Sequence, residues 1–226
     1  MIVKDDNDRN KGNYQMVIRL FVYFSCLIVL TGCYSDEQMP RIDYSINAPT
    51  ITTHAATAKP KPTFGGISSN PWIPPSSVEK NWTAVVVHHS GTPNGNATVF
   101  DKWHREGRGW DGVGYDFVIG NGTDSGNGQV ETTFRWTQQR TGAHCGGTPG
   151  NWANVESVGI CLVGDFNRTS PTSAQMKSLV ELTRFLQGRY KIPKSRVYGH
   201  KGTPGARKTD CPGRHFSMSG LKSRII

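Results

Sequence analysis

Residues 198–213 read YGHKGTPGARKTDCPG, and they carry a histidine and a cysteine whose pairing organises the rest of the chain. His200 follows a short apolar run, and Cys211 comes eleven positions later, just before Pro-Gly. The residues between them are rich in Gly, Pro and short polar types, which predicts a loop that can fold back on itself. An imidazole and a thiolate brought together in this way supply two of the three protein ligands of a catalytic zinc site, whose fourth position stays open.

The third candidate ligand is His88, at the end of the most strand-like run in the chain. Residues 82–89 are continuous and rich in β-branched side chains, which is typical of a buried strand. Residues 196–199 predict a last short strand that ends at His200. Ligands held at two strand ends and in one loop would form a rigid, open site, so the residues alone favour a zinc hydrolase.

The remaining segments predict strands that alternate with helices. They are a helix at 97–106 closed by Gly107, a strand at 114–119 with Tyr115, Phe117 and Ile119 on one face, a hairpin partner at 129–133, a strand at 157–163, and a long amphipathic helix from the capping box at 172–175 to Ile192-Pro193. This order predicts the α/β class, with a mixed central β-sheet flanked by helices in a single catalytic domain.

The N-terminal segment has the pattern of an export signal. Leu20–Leu30 is mostly apolar but shorter than the roughly 20 residues that span a bilayer, which favours a secretory signal over a membrane helix. The sequence LTGC at 30–33 resembles the lipobox of bacterial lipoproteins, in which the signal is cleaved before a cysteine that then carries acyl chains. The resemblance makes Cys33 the lipidation site; an ordinary signal peptide and a buried helix are the alternatives.

These features predict three segments: a signal peptide at 1–32, a lipidated cysteine and Pro/Thr-rich tether at 33–77, and a globular domain at 78–226. Acidic residues before Met16 are unusual in a signal, so the true start is open. A flexible coil of the tether's length reaches about 36 Å, which would hold the domain away from its lipid anchor. We expect a protein of the cell envelope facing the periplasm, and Ser35 slightly favours the outer membrane.

The charge of the chain is basic, at +9. Residues 1–32 contain four basic and three acidic side chains, so removing them leaves +8. A basic exported protein suits an acidic polymer such as cell wall, or an anionic lipid surface. Nucleic acid is the usual partner of a basic domain, but an exported, tethered chain rarely meets it, and we expect none. Simple solubility also explains the charge.

The cysteine count fits a metal site. Of five cysteines, two lie in the signal region, which leaves Cys145, Cys161 and Cys211. Three thiols cannot all pair, and we expect Cys145 and Cys161 not to form a disulfide. A peptidase with Cys211 or Cys161 as nucleophile is the rival reading of these thiols.

Five segments in one order resemble a known family. They are VVHHSGT at 86–92, GVGYDFVI at 112–119, GAH at 142–144, SVGICLVGDF at 157–166, and Gly199-His200 with TDCPG at 209–213. Together they are similar to the zinc-dependent N-acetylmuramoyl-L-alanine amidases, the phage-type lysozyme amidases and the peptidoglycan recognition proteins, over about residues 82–213. The resemblance implies a mixed sheet flanked by helices and Zn²⁺ held by His88, His200 and Cys211.

The resemblance also implies a reaction, hydrolysis of the amide joining the lactyl group of N-acetylmuramic acid to L-alanine of the stem peptide. Its substrate would be peptidoglycan or a muropeptide, and we expect a monomer. A peptidoglycan-binding module without catalysis is the main alternative. A related branch has Glu at the position of Cys161 and Asp as its third ligand, so the specificity of that branch for anhydro-muropeptides is not implied.

Tyr115 matches the catalytic tyrosine of the family, and Thr209 stands where members carry Lys or Thr. Both hydroxyls can donate hydrogen bonds to a developing oxyanion, and Tyr115 or a relayed water could protonate the departing amine. We predict substrate-binding roles for Lys208, beside Thr209, and for His144, expected at the rim of the cleft.

The remaining histidines and several tryptophans have less specific expectations. His89 should point to the opposite face from His88, in a supporting or core position. His54 lies in the tether, and His104 and His215 are expected in packing or at the surface. Trp110, Trp136 and Trp152 could stack on sugars or serve as core anchors.

Overall fold

The computed structural model describes residues 70–226. The predicted signal peptide, the lipidation site at Cys33 and the tether up to residue 69 lie outside these residues. In the part of the chain that is described, no helix has both the length and the apolar character needed to cross a membrane. Trp72 packs edge to face on Phe185, with ring centroids 5.6 Å apart, so contacts with the domain begin ahead of Val78.

A five-stranded mixed sheet forms the centre of the described chain. The strands are β1 Ala84–His89, β2 Phe117–Ile119, β3 Val130–Thr132, β4 Ser157–Leu162 and β5 Val197–Gly199. Their order is β3-β2-β4-β1-β5. Strands β1, β2, β4 and β5 run parallel, and β3 returns antiparallel along β2. The predicted mixed sheet is confirmed.

Helices cover both faces of this sheet. They are α1 Ala97–Arg108, α2 Phe134–Thr137, α3 Trp152–Glu156, α4 Ser173–Tyr190 and α5 Met218–Lys222. Single 3-10 turns occupy Pro149–Asn151, Lys194–Arg196 and His200–Gly202. Successive side chains of a strand point to opposite faces, so a central strand covered on both sides needs apolar residues at consecutive positions. Strand β1 has them from Ala84 to Val87, ahead of its two histidines.

The two faces of the sheet bury different clusters. Val85, Val87 and Ile160 pack on the face covered by α4, where Leu179 and Leu186 are fully buried. Val118 and Cys161 lie on the other face, with Phe100 of α1. Burying one such aliphatic side chain contributes roughly 1.5–3 kcal/mol, so these clusters hold the strand ends in place.

The end of α1 differs from the prediction. The helix continues to Arg108 and ends at Gly109, in the left-handed conformation with φ 64°, rather than at Gly107. Gly107 is tolerated because it lies inside the last turn, where a Gly costs only about 1 kcal/mol relative to Ala. At the other end, the side chain of Asn96 caps the helix by accepting a hydrogen bond from the Val99 N–H.

The prediction that Tyr115 shares a face with Phe117 and Ile119 is wrong. Tyr115 packs against the cluster containing Phe100, whereas Phe117 and Ile119 belong to the opposite cluster. The reason is that β2 begins only at Phe117, so strand alternation does not extend back to Tyr115. Instead, Asp116 joins this segment to β4: its N–H donates to the Gly159 carbonyl, and its Oδ2 accepts from the Gly159 N–H.

The capping box of α4 is present as predicted, and it carries a stability prediction. The Thr172 hydroxyl oxygen accepts from the Gln175 N–H, and the Gln175 side-chain oxygen accepts from the Thr172 N–H. Thr172→Ala removes the first of these bonds, together with the exposed bond that the hydroxyl donates to the Asn127 Oδ1. It should lower the free energy of unfolding by about 1 kcal/mol, measured by urea denaturation. Ser170→Ala, at an exposed position before the helix, is the control; equal losses in both variants would contradict the cap's contribution.

Candidate metal centre

Three predicted ligands converge at the carboxyl ends of the parallel strands. One donor atom each of His88, His200 and Cys211 lies within 4.8 Å of the others, and within residues 70–226 no other group of three such side chains does so. The Cys211 Sγ is 3.6 Å from the His88 Nδ1. The rings of His88 and His200 are 4.7 Å apart between centroids.

Parallel strands place the two histidines together. Val87 of β1 pairs with Gly199 of β5, so the next residue of each chain segment, His88 and His200, emerges at the same end of adjacent strands. Sites at the carboxyl ends of parallel strands arise from this geometry. The sequence predicted both strand ends, and the register explains why their imidazoles meet.

The loop after His200 brings Cys211 back to the strand ends, as its composition predicts. The Lys201 N–H donates to the Cys211 carbonyl at 2.8 Å. The Thr209 hydroxyl oxygen accepts from the Cys211 N–H at 3.1 Å. Midway, Gly205 takes a φ of 77°, a left-handed conformation that glycine adopts without the steric cost of a side chain.

Burial keeps the two imidazoles of the donor set neutral. Burial lowers the pKa of His88 well below its usual range, with His144 and His200 adding to the effect. Burial also lowers the pKa of His200 to about 4. The His89 N–H donates to the Cys211 Sγ at 3.4 Å, so a backbone donor points at the sulfur. Neutral imidazole and thiolate are the forms that bind metals.

His89 supports the site without joining the three donors. Its Nδ1 accepts a hydrogen bond from the Phe166 N–H at 3.0 Å. Its ring packs at a tilt against Phe166, with centroids 5.8 Å apart. The side chain therefore faces the segment after β4, as alternation along β1 predicts.

Tyr115 lies beside the three donors. Its ring centroid is 5.3 Å from that of His88, and its hydroxyl hydrogen bonds with the Cys161 side chain. Burial raises the Tyr115 pKa well above its usual range, so the hydroxyl stays protonated and can donate a hydrogen bond. Burial likewise raises the pKa of the Cys161 thiol, which disfavours Cys161 as a nucleophile because the thiolate is the reactive form.

His144 is in the interior rather than at an open rim. It is 7% exposed, and its Nδ1 lies 3.1 Å from the His88 Nε2. The His144 Nε2 is buried and has no partner in hydrogen-bonding geometry. Burial lowers the pKa of His144 to about 3, and the Ser157 backbone opposes part of this fall. A substrate could touch only the small exposed edge of this ring, so direct binding stays a prediction.

The other residues predicted to bind substrate differ in their exposure. Thr209 is half-buried and Lys208 is exposed on the loop that carries Cys211. Trp136 is fully buried against Trp82 and serves the core. Trp110 exposes 36% of its surface.

Two further predicted side chains, His104 and Trp152, are engaged in packing. Trp110 packs on the His104 ring, with centroids 4.9 Å apart, and His104 accepts from the Gly114 N–H. Trp152 packs edge to face on Tyr198, 6.1 Å between centroids. His104 is therefore a packing residue, as expected.

Asn154 supports the site although the sequence pattern does not predict it. Its side-chain oxygen accepts from the N–H groups of both His144 and Cys145, at 2.8 and 2.9 Å. Its side-chain nitrogen donates to the Cys145 carbonyl at 3.2 Å. Asn154 therefore fixes the loop that carries His144. A single Asn in a short helix gives no periodic signal that would have identified it.

Comparison with known families gives one match that covers most of the domain. The family model described as Amidase_2, N-acetylmuramoyl-L-alanine amidase, matches residues 79–214. Residues of this chain are 33% identical, over 115 positions, to peptidoglycan-recognition protein SC2 of Drosophila melanogaster, covering 50% of this chain and 54% of that protein. The human N-acetylmuramoyl-L-alanine amidase is 27% identical over 141 residues, covering 57% of this chain and 22% of that protein. The chain thus spans about half the length of the first relative and less of the second.

Solved structures agree on the architecture. The N-acetylmuramoyl-L-alanine amidase LysC from Clostridium intestinale URNW superposes with a TM-score of 0.53 at 31% identity, over 63% of this chain and 84% of that chain. Bumblebee PGRP-SA superposes with a TM-score of 0.51 at 23% identity, over 66% and 86%. The second likeness concerns the fold alone.

Proposed function

The chain belongs to the Amidase_2 family, N-acetylmuramoyl-L-alanine amidase, and from that membership we propose that it is a zinc-dependent enzyme. The proposed reaction is hydrolysis of the amide between N-acetylmuramic acid and L-alanine in peptidoglycan or a muropeptide. The observation that carries the proposal is the convergence of His88, His200 and Cys211 beside Tyr115. A binding module needs no such donor set, whereas a metallohydrolase does.

The donor set fits zinc. Two neutral imidazoles and one thiolate are a ligand combination that zinc takes in catalytic sites, with one position left for water or substrate. The Sγ–Nδ1 separation of 3.6 Å between Cys211 and His88 is shorter than the sum of a Zn–S and a Zn–N bond, about 4.4 Å. One ion can therefore bond both atoms. When bound, zinc would act as a Lewis acid and make a water nucleophilic near neutral pH.

Tyr115 would stabilise the transition state. Attack on the lactyl carbonyl would place negative charge on its oxygen. The protonated hydroxyl of Tyr115, a half-buried residue, could donate a hydrogen bond to that oxygen. The raised pKa of Tyr115 keeps its hydroxyl neutral and protonated at neutral pH. The same hydroxyl interacts with the Cys161 side chain, so it would have to turn its proton from that sulfur to the substrate oxygen. Tyr115 is also the candidate that passes a proton to the departing amine of L-alanine.

Thr209 and Lys208 would act on the loop side of the site. The oxygen of the Thr209 hydroxyl already accepts from the Cys211 N–H, which leaves its proton available for a substrate oxygen. Lys208 is exposed and could reach carboxylates of the stem peptide as a flexible point charge. Both roles are proposals that follow from position and chemistry.

Removal and return of zinc test the function. Purified protein should release stem peptides with free L-alanine amino ends from isolated sacculi, as read by mass spectrometry of the digest. A chelator should stop this release, and added zinc should restore it, because the donor set cannot replace the metal's chemistry. A thiol alkylator applied to the zinc-loaded protein is a parallel treatment that would stop a cysteine peptidase.

The outcomes separate the alternatives. Intact glycan–peptide linkages after incubation with zinc-loaded protein would leave a peptidoglycan-binding module, the alternative favoured by the peptidoglycan-recognition relatives. Activity that survives the chelator but not the alkylator would instead indicate a cysteine nucleophile.

Location and partners are proposed on sequence grounds alone. A lipid anchor at Cys33 would hold the domain in the cell envelope, with the outer membrane slightly favoured, facing the periplasm and its peptidoglycan. The anchor can be tested by labelling cells with a clickable fatty acid: wild-type chain should take up the label and Cys33→Ala should not. We also propose a monomer and no nucleic-acid partner.

A further inference from the structure

We propose that His144 is a positioning residue that holds His88 in the orientation needed to bind the metal. The inference rests on the proposed zinc site. It concerns the hydrogen bond between the His88 Nε2 and the His144 Nδ1, 3.1 Å long and fully buried. The His88 ring has its other nitrogen, Nδ1, directed toward the Cys211 Sγ at 3.6 Å.

The direction of this hydrogen bond follows from the chemistry of His88. A ring nitrogen that coordinates a metal carries no hydrogen, so with Nδ1 as ligand the hydrogen of neutral His88 must be on Nε2. The His88 Nε2–H then donates, and the His144 Nδ1 accepts. A hydrogen bond at the second nitrogen of a ligating histidine fixes its tautomer and ring orientation and raises its basicity.

Two glycines make the space that His144 needs. A Cβ at Gly159 of β4 would lie 2.4 Å from the Cδ2 of His144, and one at Gly142 would lie 2.6 Å from the same atom. Neither separation is compatible with a side chain, since non-bonded carbon atoms meet at about 3.5–4.0 Å. The ring is therefore packed closely against β4 and against its own loop, which limits its movement toward either of them.

Asn154 fixes the backbone of His144 from a different direction. Its side-chain oxygen accepts from the His144 N–H at 2.8 Å, and its carbonyl accepts from the Gly142 N–H. Both the ring and the main chain of His144 are thus held, which is the arrangement expected of a residue that orients a ligand.

The matched pair His144→Leu and His144→Asn tests the role, because Leu and Asn have nearly the same size and shape. Asn places an oxygen where the histidine has Nδ1 and can still accept from His88, whereas Leu cannot. We expect the zinc dissociation constant, measured by competition with a chromophoric chelator, to rise about 10- to 100-fold in His144→Leu. In His144→Asn it should stay within about threefold of wild type.

A second measurement needs no variant. Nitrogen NMR of the zinc-loaded wild-type protein should show the hydrogen of His144 on Nε2 and an unprotonated Nδ1, with the His88 Nε2–H protected from exchange. A hydrogen on the His144 Nδ1 would overturn the inference, as would equal zinc affinity in the Leu and Asn variants. Failure of the wild-type protein to bind zinc would instead contradict the proposed function.

Discussion

Replacing Cys211 by Ser is expected to abolish zinc retention. In the proposed zinc site the Cys211 sulfur would be the one anionic ligand, and the His89 N–H donates to it. A serine hydroxyl is neutral at neutral pH and binds zinc poorly compared with a thiolate. Affinity should fall by more than the roughly 10- to 100-fold that loss of an outer hydrogen-bond partner costs. Zinc content after dialysis, measured by plasma mass spectrometry, gives the result directly.

Cys145→Ser is the matched control for this variant. Cys145 is a buried free thiol in a separate cluster with Val86 and Ala153, so its replacement should leave zinc content near one ion per chain. Normal zinc in Cys211→Ser would refute the assignment of Cys211 as a ligand. Amidase activity should follow zinc content in both variants.

Tyr115→Phe is expected to reduce kcat by about 10²- to 10³-fold while zinc content stays at the wild-type level. Removal of a single pre-placed donor to an oxyanion typically costs this much. The aromatic ring remains against His88, so the variant deletes the hydroxyl and little else. Initial rates on a defined muropeptide, with zinc content measured on the same sample, test both halves of the prediction.

Tyr198→Phe provides the comparison. Tyr198 is half-buried in β5 and its ring packs on Trp152. Its hydroxyl has no role in the proposed site, so its loss should change kcat by less than about twofold. If Tyr115→Phe kept its kcat, or lost its zinc, the proposed role of the hydroxyl would be wrong.

The parts of the fold with long, regular patterns could be predicted from the sequence. Strand β1 is a continuous β-branched run, and α4 begins with a capping box and continues for eighteen residues. Patterns of this length average over several side chains. Helices α2, α3 and α5 have four or five residues, too few for a period to show, and none was predicted.

The candidate site divides in the same way. His88 and His200 could be placed because each follows a strand, and Cys211 because its loop is rich in Gly and Pro. The side of the sheet on which Tyr115 lies could not be predicted, because it depends on where β2 starts. The His88–His144 hydrogen bond could not be predicted either. It joins residues 56 positions apart, and it depends on two glycines that leave room for the His144 ring.

The order of the strands has a consequence for when the centre can form. Val87 and Gly199 are neighbours in the sheet although more than a hundred positions separate them, and pairings of such range form late because a long loop must close first. In a nascent chain that has not yet completed β5, His88 lacks the imidazole of His200 beside it. Retention of one zinc ion per chain should therefore report completion of the fold, and a fragment ending before residue 197 should lose its zinc on dialysis.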